Sequence, residues 1–265
     1  MLSKLYKYEF RALFRCFTPI YIGLIGLAIF NRVFFLLDDR INIVRAIQKS
    51  CITLYILGII AMFAIGAVAV VVRFYRNLLS AEGYLTMTLP FKMSQHILCK
   101  LICGAVMIIL NFICLLLSLF ILLIGYGDSL EMLVKGAFET FVCALDEYGG
   151  ITLVVAAELA VIAIVTLAAA LLMTYTAMAI GQQFKNRIGA SVIAYICIYA
   201  ALQTVSFVAI FIASRYAGIG SIYNYENALA ILSVVLGAVI LYQITLSVIY
   251  FAVTNRLLSK RLNLA

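Results

Sequence analysis

Long apolar stretches alternate with short polar segments along the chain. Six of them are close to the ~20 residues that a helix needs to cross a ~30 Å hydrocarbon core. The pattern therefore predicts an all-α, polytopic membrane protein with six transmembrane helices in one domain, 1–265. We expect the fourth stretch, which is long for an upright span, to tilt or to project from the membrane. The predicted spans are 17–37, 51–72, 98–124, 151–180, 188–213 and 227–253.

Residues 1–16 have a different pattern, in which apolar and basic positions lie on opposite helical faces. The basic face carries Lys4, Lys7, Arg11 and Arg15. This arrangement predicts an N-terminal amphipathic helix that lies at the membrane interface and leads into the first span. Thr18 and Pro19 follow, and these residue types are typical of a helix cap and a first helical position.

The connection between the second and third spans is too polar to cross a bilayer and too apolar to be a solvent-exposed loop. It reads RFYRNLLSAEGYLTMTLPFKMSQHILCK, residues 73–100. Its first residues can continue the second span as a helix, Gly83 and Pro90 predict breaks, and Ser94 is placed to cap the third helix. The apolar side chains between the breaks require a partner surface. The pattern leaves open whether that surface is the membrane or another protein.

Composition agrees with a membrane protein. Hydrophobic residues make up 66% of the chain and charged residues 11%, against about 25% in soluble domains. The net charge of +8 could suggest nucleic acid, but its distribution indicates membrane orientation instead, so no nucleic-acid partner is expected. Segments on the N-terminal side of the predicted membrane carry 13 of the 19 basic residues, which predicts that both termini are cytoplasmic. These residues are Lys4, Lys7, Arg11, Arg15, Arg73, Arg76, Lys92, Lys100, Lys185, Arg187, Arg256, Lys260 and Arg261.

Catalytic motifs are missing from the sequence. It has no phosphate-binding Gly-x4-Gly-Lys-Ser/Thr pattern, no GxSxG elbow, and His96 as its single histidine. Cys99 and Cys103 have helical spacing, but no second pair completes a metal site. We therefore expect no enzyme activity from this chain by itself, no cofactor and no metal.

Two of the charged residues inside the predicted spans carry a functional prediction. Arg32 is near the outer end of the first span, and Glu158 is about 10 Å below the outer end of the fourth. A charge inside a span costs about 2.5–3.5 kcal/mol on insertion scales, so each requires a partner or water. We expect the two to pair or to line the outer part of a translocation path. The alternative for Arg32 is that its long side chain reaches the outer headgroups.

Three blocks carry a resemblance to a known family. They are KYEFRALFRCFTPIY near the N-terminus, RFYRNLLSAEGYLTMTLP between spans 2 and 3, and TNRLLSKRLNL near the C-terminus. The chain resembles the permease subunits of ABC-2 type transporters, in particular a Gram-positive group classed with lantibiotic and antimicrobial-peptide exporters. It departs from the bacitracin-resistance permeases and the lipoprotein exporters, since it lacks their large extracellular domain.

The resemblance implies a function. The connection between spans 2 and 3 would carry a cytoplasmic coupling helix that docks on a separate ABC ATP-binding subunit, which binds ATP-Mg. It also implies a second permease subunit, identical or a paralogue, and a location in the cell membrane as a multi-pass protein. The cargo would be a peptide, a lipid or a hydrophobic drug. The residues placed at or beside the docking contact are Glu82, Gly83, Tyr84, Leu85, Thr86, Leu89 and Pro90.

Two other classes of protein fit part of the pattern. An ATP-independent secondary transporter or channel would have broken helices and several buried ionisable groups, whereas this sequence offers one or two. A noncatalytic immunity or scaffold protein of the membrane needs no coupling segment. The two classes remain the alternatives to an ATP-driven exporter.

Overall fold

The structure is a computed structural model that describes residues 2–35, 42–79, 92–123, 127–216 and 225–260. Within these residues the chain is all-helical, and only Lys92, Gly149 and the turn 182–186 lie outside the helices. The helices are α1 (Leu2–Phe35), α2 (Asn42–Leu79), α3 (Met93–Leu123), α4 (Gly127–Tyr148), α5 (Gly150–Gly181), α6 (Arg187–Tyr216) and α7 (Tyr225–Lys260).

Six of these helices are long and apolar enough to cross a membrane: α1, α2, α3, α5, α6 and α7. They contain the six predicted stretches except residues 36, 37 and 124, which lie outside the described residues. The prediction of a multi-pass, all-α membrane protein is therefore confirmed. The helix α2 also continues past the predicted end of the second span to Leu79, as the sequence after Arg73 suggested. The remaining helix, α4, exposes the apolar side chains of Met132, Phe138 and Phe141.

Two predicted helix starts are wrong. Thr18 and Pro19 lie inside α1, which is continuous from Leu2 to Phe35, and the Thr18 hydroxyl donates 2.6 Å to the carbonyl of Phe14. A threonine in a helix can bond back to the preceding turn in this way, so its presence does not mark a start. Ser94 is likewise helical. The residue before α3 is Lys92, whose N–H donates to Oε1 of Gln95 at 3.2 Å, as in a capping box.

The chain divides into two compact units. The first comprises Met1–Arg73 and Leu98–Ala137. Its core includes Leu24, Ala28, Tyr55, Met62 and Cys114. The unit therefore has a hydrophobic centre built from α1, α2 and α3.

Polar side chains in this first unit bond to one another across helices. The Tyr21 hydroxyl donates 2.8 Å to Oδ1 of Asn111, and the hydroxyls of Tyr55 and Ser118 are 2.7 Å apart. Gly66 leaves room for Asn111, because a Cβ at Gly66 would lie 2.6 Å from Nδ2 of that amide. Such bonds and small residues hold membrane helices together where no water competes.

The second unit comprises Phe74–Ile97 and Phe138–Ala265. In it, α5 and α7 pack in parallel, since Glu158 contacts Ser233 and, further along both helices, Thr176 contacts Thr254. The two threonine hydroxyls are 2.9 Å apart and both residues are buried. Because these groups satisfy each other, the pair can be buried at little cost.

Candidate functional site at the ends of α2 and α3

A buried cluster of three charges joins α1, α2 and α3 in the first unit. Oε1 of Glu9 on α1 accepts from Nε of Arg73 on α2 at 2.7 Å and from Nζ of Lys100 on α3 at 2.9 Å. Nη2 of Arg73 donates to Oε2 of the same carboxylate at 3.4 Å. One acidic group therefore binds a cation on each of two neighbouring helices.

Two of the three side chains, Glu9 and Lys100, are well removed from solvent. Only 11% of the Glu9 side chain and 9% of the Lys100 side chain are exposed, against 28% for Arg73. Buried charges cost several kcal/mol each in desolvation, and their attraction offsets that cost only when the geometry is good. Glu9 provides the negative charge that makes burial of Lys100 tolerable, so the three side chains stabilise one another as a set.

The cluster lies close to the helix ends that flank residues 80–91. Arg73 is six residues before the end of α2 at Leu79, and Lys100 is seven residues after the start of α3 at Met93. At 1.5 Å per residue, these distances along the helices are about 9 Å and about 10 Å. The cluster thus fixes the two helices that lead into and out of this segment.

The seven predicted docking residues fall inside that segment. They lie outside the residues that the structure describes, so their role stays a prediction. They are Glu82, Gly83, Tyr84, Leu85, Thr86, Leu89 and Pro90.

In the second unit, the last turns of α2 pack on α5. The rings of Phe74 and Tyr175 are stacked, with centroids 3.9 Å apart and planes within 6°. Both residues are 1% exposed, and Leu78 and Leu79 in the following turn of α2 are buried as well. Stacked, fully buried aromatic rings hold a fixed geometry. A displacement of the end of α2 would therefore move α5 as well.

The two predicted membrane charges lie in different units. Arg32 is half-buried in the last turn of α1 in the first unit. Glu158 is half-buried on α5 in the second, and its Oε1 accepts from the Ser233 hydroxyl at 3.1 Å. Its Oε2 is buried and has no hydrogen-bond partner among the described residues. The pairing of Arg32 with Glu158 stays a prediction.

The sequence pattern by itself does not predict the cluster around Glu9, although it contains two signals of it. Glu9 is the sole acid in the basic N-terminal segment, and Lys100 lies just inside the predicted third span, where a cation requires a partner. The identity of that partner depends on which helices pack together, which the local pattern does not contain.

The arrangement can join helices mechanically, because Glu9 on α1 binds Arg73 on α2 and Lys100 on α3. Within the described residues, no group of three or more His, Cys, Asp or Glu side chains could hold a metal ion. Cys99 and Cys103 are buried on α3, on either side of Lys100 in the sequence.

Comparisons of the chain with protein-family models, with curated proteins and with solved structures find no match.

Proposed function

We propose that this chain is the membrane-spanning permease subunit of an ATP-driven ABC exporter of the ABC-2 type. A separate subunit would bind ATP-Mg and dock on residues 82–90, and the permease would export a peptide, a lipid or a hydrophobic drug. The observation that carries the proposal is the buried contact of Glu9 with Arg73 and Lys100. This contact joins the two helices that flank residues 80–91. A segment that receives force from a partner subunit requires such a connection between its two ends.

The proposed mechanism is a transfer of motion. Binding of ATP closes two ATPase subunits, and each displaces the segment docked on it. Because Glu9 holds α2 and α3 together at Arg73 and Lys100, the two flanking helices move with the segment. The stack of Phe74 on Tyr175 carries the movement of the end of α2 into α5. Packed helices shift between discrete arrangements, which suits alternating access.

The proposed transporter contains further subunits, and its chain has a defined orientation in the membrane. Two permease subunits, identical or paralogous, would work with two ATPase subunits in the cell membrane. Both termini would be cytoplasmic, which agrees with the excess of basic residues in the segments on that side. In this orientation the helix ends near Glu9 face the cytoplasm, where ATP is present.

Replacing Leu85 by Asp is expected to reduce recovery of the ATPase subunit with the affinity-purified chain at least tenfold. The reason is that a carboxylate in an apolar contact must be desolvated without a partner. The measurement is co-purification from native membranes, with the ATPase identified by its nucleotide-binding motif. Leu85→Met, which preserves the apolar contact, is the control and should recover the wild-type amount. Equal recovery with Leu85→Asp would place the docking contact elsewhere.

One observation favours an ATP-independent secondary transporter as a second candidate. Glu158 has a buried oxygen without a partner in the described residues, and intramembrane carboxylates of this kind bind coupling ions or protons in such transporters. A transporter of that class would move its substrate without any ATPase, so measurements on the isolated chain separate the two candidates.

A further inference from the structure

We propose that Glu158 and Ser233 bind the cationic group of an amphiphilic organic ligand. The site lies in the second unit, where α5 and α7 pack in parallel. The inference deepens the proposed function, because it names the charge class of the substrate, and it rests on that function only for the statement that the ligand is transported.

The Glu158 carboxylate has unused hydrogen-bonding capacity. The Ser233 hydroxyl donates 3.1 Å to Oε1, while Oε2 is buried and accepts no bond from the described residues. A carboxylate can accept about four hydrogen bonds, and a buried acceptor that receives none loses the free energy of its hydration. Glu158 is eight residues, or about 12 Å, from the start of α5. At this depth in a span, a donor with a positive charge would remove most of that cost.

The described basic residues of this unit that follow α5 lie far from the Glu158 carboxylate. Along α5, α6 and α7, the basic side chains that the structure describes are Lys185, Arg187 and Arg256. Lys185 and Arg187 follow the far end of α5, and Arg256 is about 35 Å from Ser233 along α7. None of these three side chains can reach the carboxylate.

The surroundings of the carboxylate on α5 and α7 are apolar and open. Val154 and Val161 lie on the same face of α5, one turn before and one turn after Glu158, and they are 48% and 42% exposed. On α7, a Cβ at Gly237, one turn after Ser233, would have no atom within 4 Å. Apolar surface and open space next to one carboxylate suit a ligand that has both a positive charge and a large apolar part.

These features favour an organic cation over a metal ion. Ca²⁺ takes six to eight oxygen ligands and Mg²⁺ about six, whereas this site offers one carboxylate and one hydroxyl. An ammonium or phosphonium group requires only a single negative charge at close range, and dispersion contacts with apolar side chains bind the rest of the molecule.

The test uses two probes of the same size and shape but opposite charge. Binding of tetraphenylphosphonium and of tetraphenylborate to the purified full-length chain in neutral detergent is measured by equilibrium dialysis. We expect Glu158→Gln to weaken binding of the phosphonium at least tenfold and to leave binding of the borate unchanged. Glu158→Asp, which retains the charge, should stay within a few-fold of the wild type. Gly237→Leu should weaken binding of the phosphonium, because it fills the open space while the carboxylate remains.

Thr245→Ala is the matched control, since Thr245 is an exposed residue of α7 whose hydroxyl bonds only within its own helix. This variant should bind both probes like the wild type. Binding is measured only for variants that elute as a single monodisperse species in size-exclusion chromatography. The inference is overturned if Glu158→Gln binds the phosphonium as tightly as the wild type, or if it weakens binding of both probes equally.

The outcome is independent of the proposed function. The dialysis contains no ATP and no partner subunit, so a failure to bind the phosphonium would leave an ATP-driven permease intact. Conversely, the chain could bind the phosphonium selectively and yet never associate with an ATPase. That result would support the site at Glu158 and contradict the proposal of an ABC exporter.

Discussion

Glu9→Gln is expected to lower the free energy of unfolding by about 3 kcal/mol. The variant keeps the shape of the side chain but removes the negative charge of Glu9 from between Arg73 and Lys100. Removing one partner of a buried ion pair costs about 3–5 kcal/mol, and we choose the lower end because the Arg73 side chain is 28% exposed. The measurement is equilibrium unfolding of the purified chain in mixed micelles.

Arg11→Gln is the control for this variant. It removes a charge two residues away on α1, from an exposed side chain, and should change the free energy of unfolding by no more than about 0.5 kcal/mol. A double variant, Glu9→Gln with Lys100→Met, tests the interaction itself. It should lose less stability than the sum of the two single variants, because the second change removes the buried positive charge whose contact with Glu9 the first change has already neutralised. Strict additivity would mean that Glu9 and Lys100 do not interact.

Gly181→Ala is expected to lower the free energy of unfolding by about 3 kcal/mol. A Cβ at Gly181 would lie 2.6 Å from the backbone nitrogen of Ser191 and 2.7 Å from its Cα. Overpacking costs about 1–3 kcal/mol, and the upper end applies because backbone atoms, unlike the tip of a flexible side chain, cannot move aside. The higher helix propensity of alanine gains at most about 1 kcal/mol and is smaller still at the last residue of a helix. The start of α6 must therefore separate from the end of α5.

Gly150→Ala is the matched control at the opposite end of α5. A Cβ at Gly150 meets no atom within 4 Å, so this variant should be as stable as the wild type or slightly more stable. Thermal unfolding of the two variants in the same detergent makes the comparison. If Gly181→Ala unfolds at the same temperature as Gly150→Ala, the close approach of α5 and α6 at Ser191 is not a feature of the folded chain.

The membrane spans are predictable from the sequence because the property that defines them is local. A window of about 20 apolar residues contains all the information needed to predict a crossing. The helix starts at Thr18 and Ser94 were mispredicted for the same local reason. Both residue types can cap a helix or sit within one, and the choice depends on where the preceding residues go.

The cluster around Glu9 could not be derived in the same way. Its bonds join residues that are 64 and 91 positions apart in the chain, so they depend on how α1, α2 and α3 assemble. The sequence indicates that Lys100 needs a partner but does not identify one. Glu158 is recognisable from the sequence alone, because an acid in the middle of an apolar stretch stands out without any knowledge of packing. Its bond to Ser233 on α7 came only from the structure.

The central claim is that a separate ATPase drives this chain through the segment between α2 and α3. The most direct test is the rate of ATP hydrolysis by the full-length chain, affinity-purified from its native membrane and reconstituted in nanodiscs. We predict vanadate-sensitive hydrolysis that co-elutes with the wild-type chain and with Leu85→Met, and that is lost with Leu85→Asp. Hydrolysis no greater than that of a mock purification, from wild-type chain that is folded and monodisperse, would contradict the account.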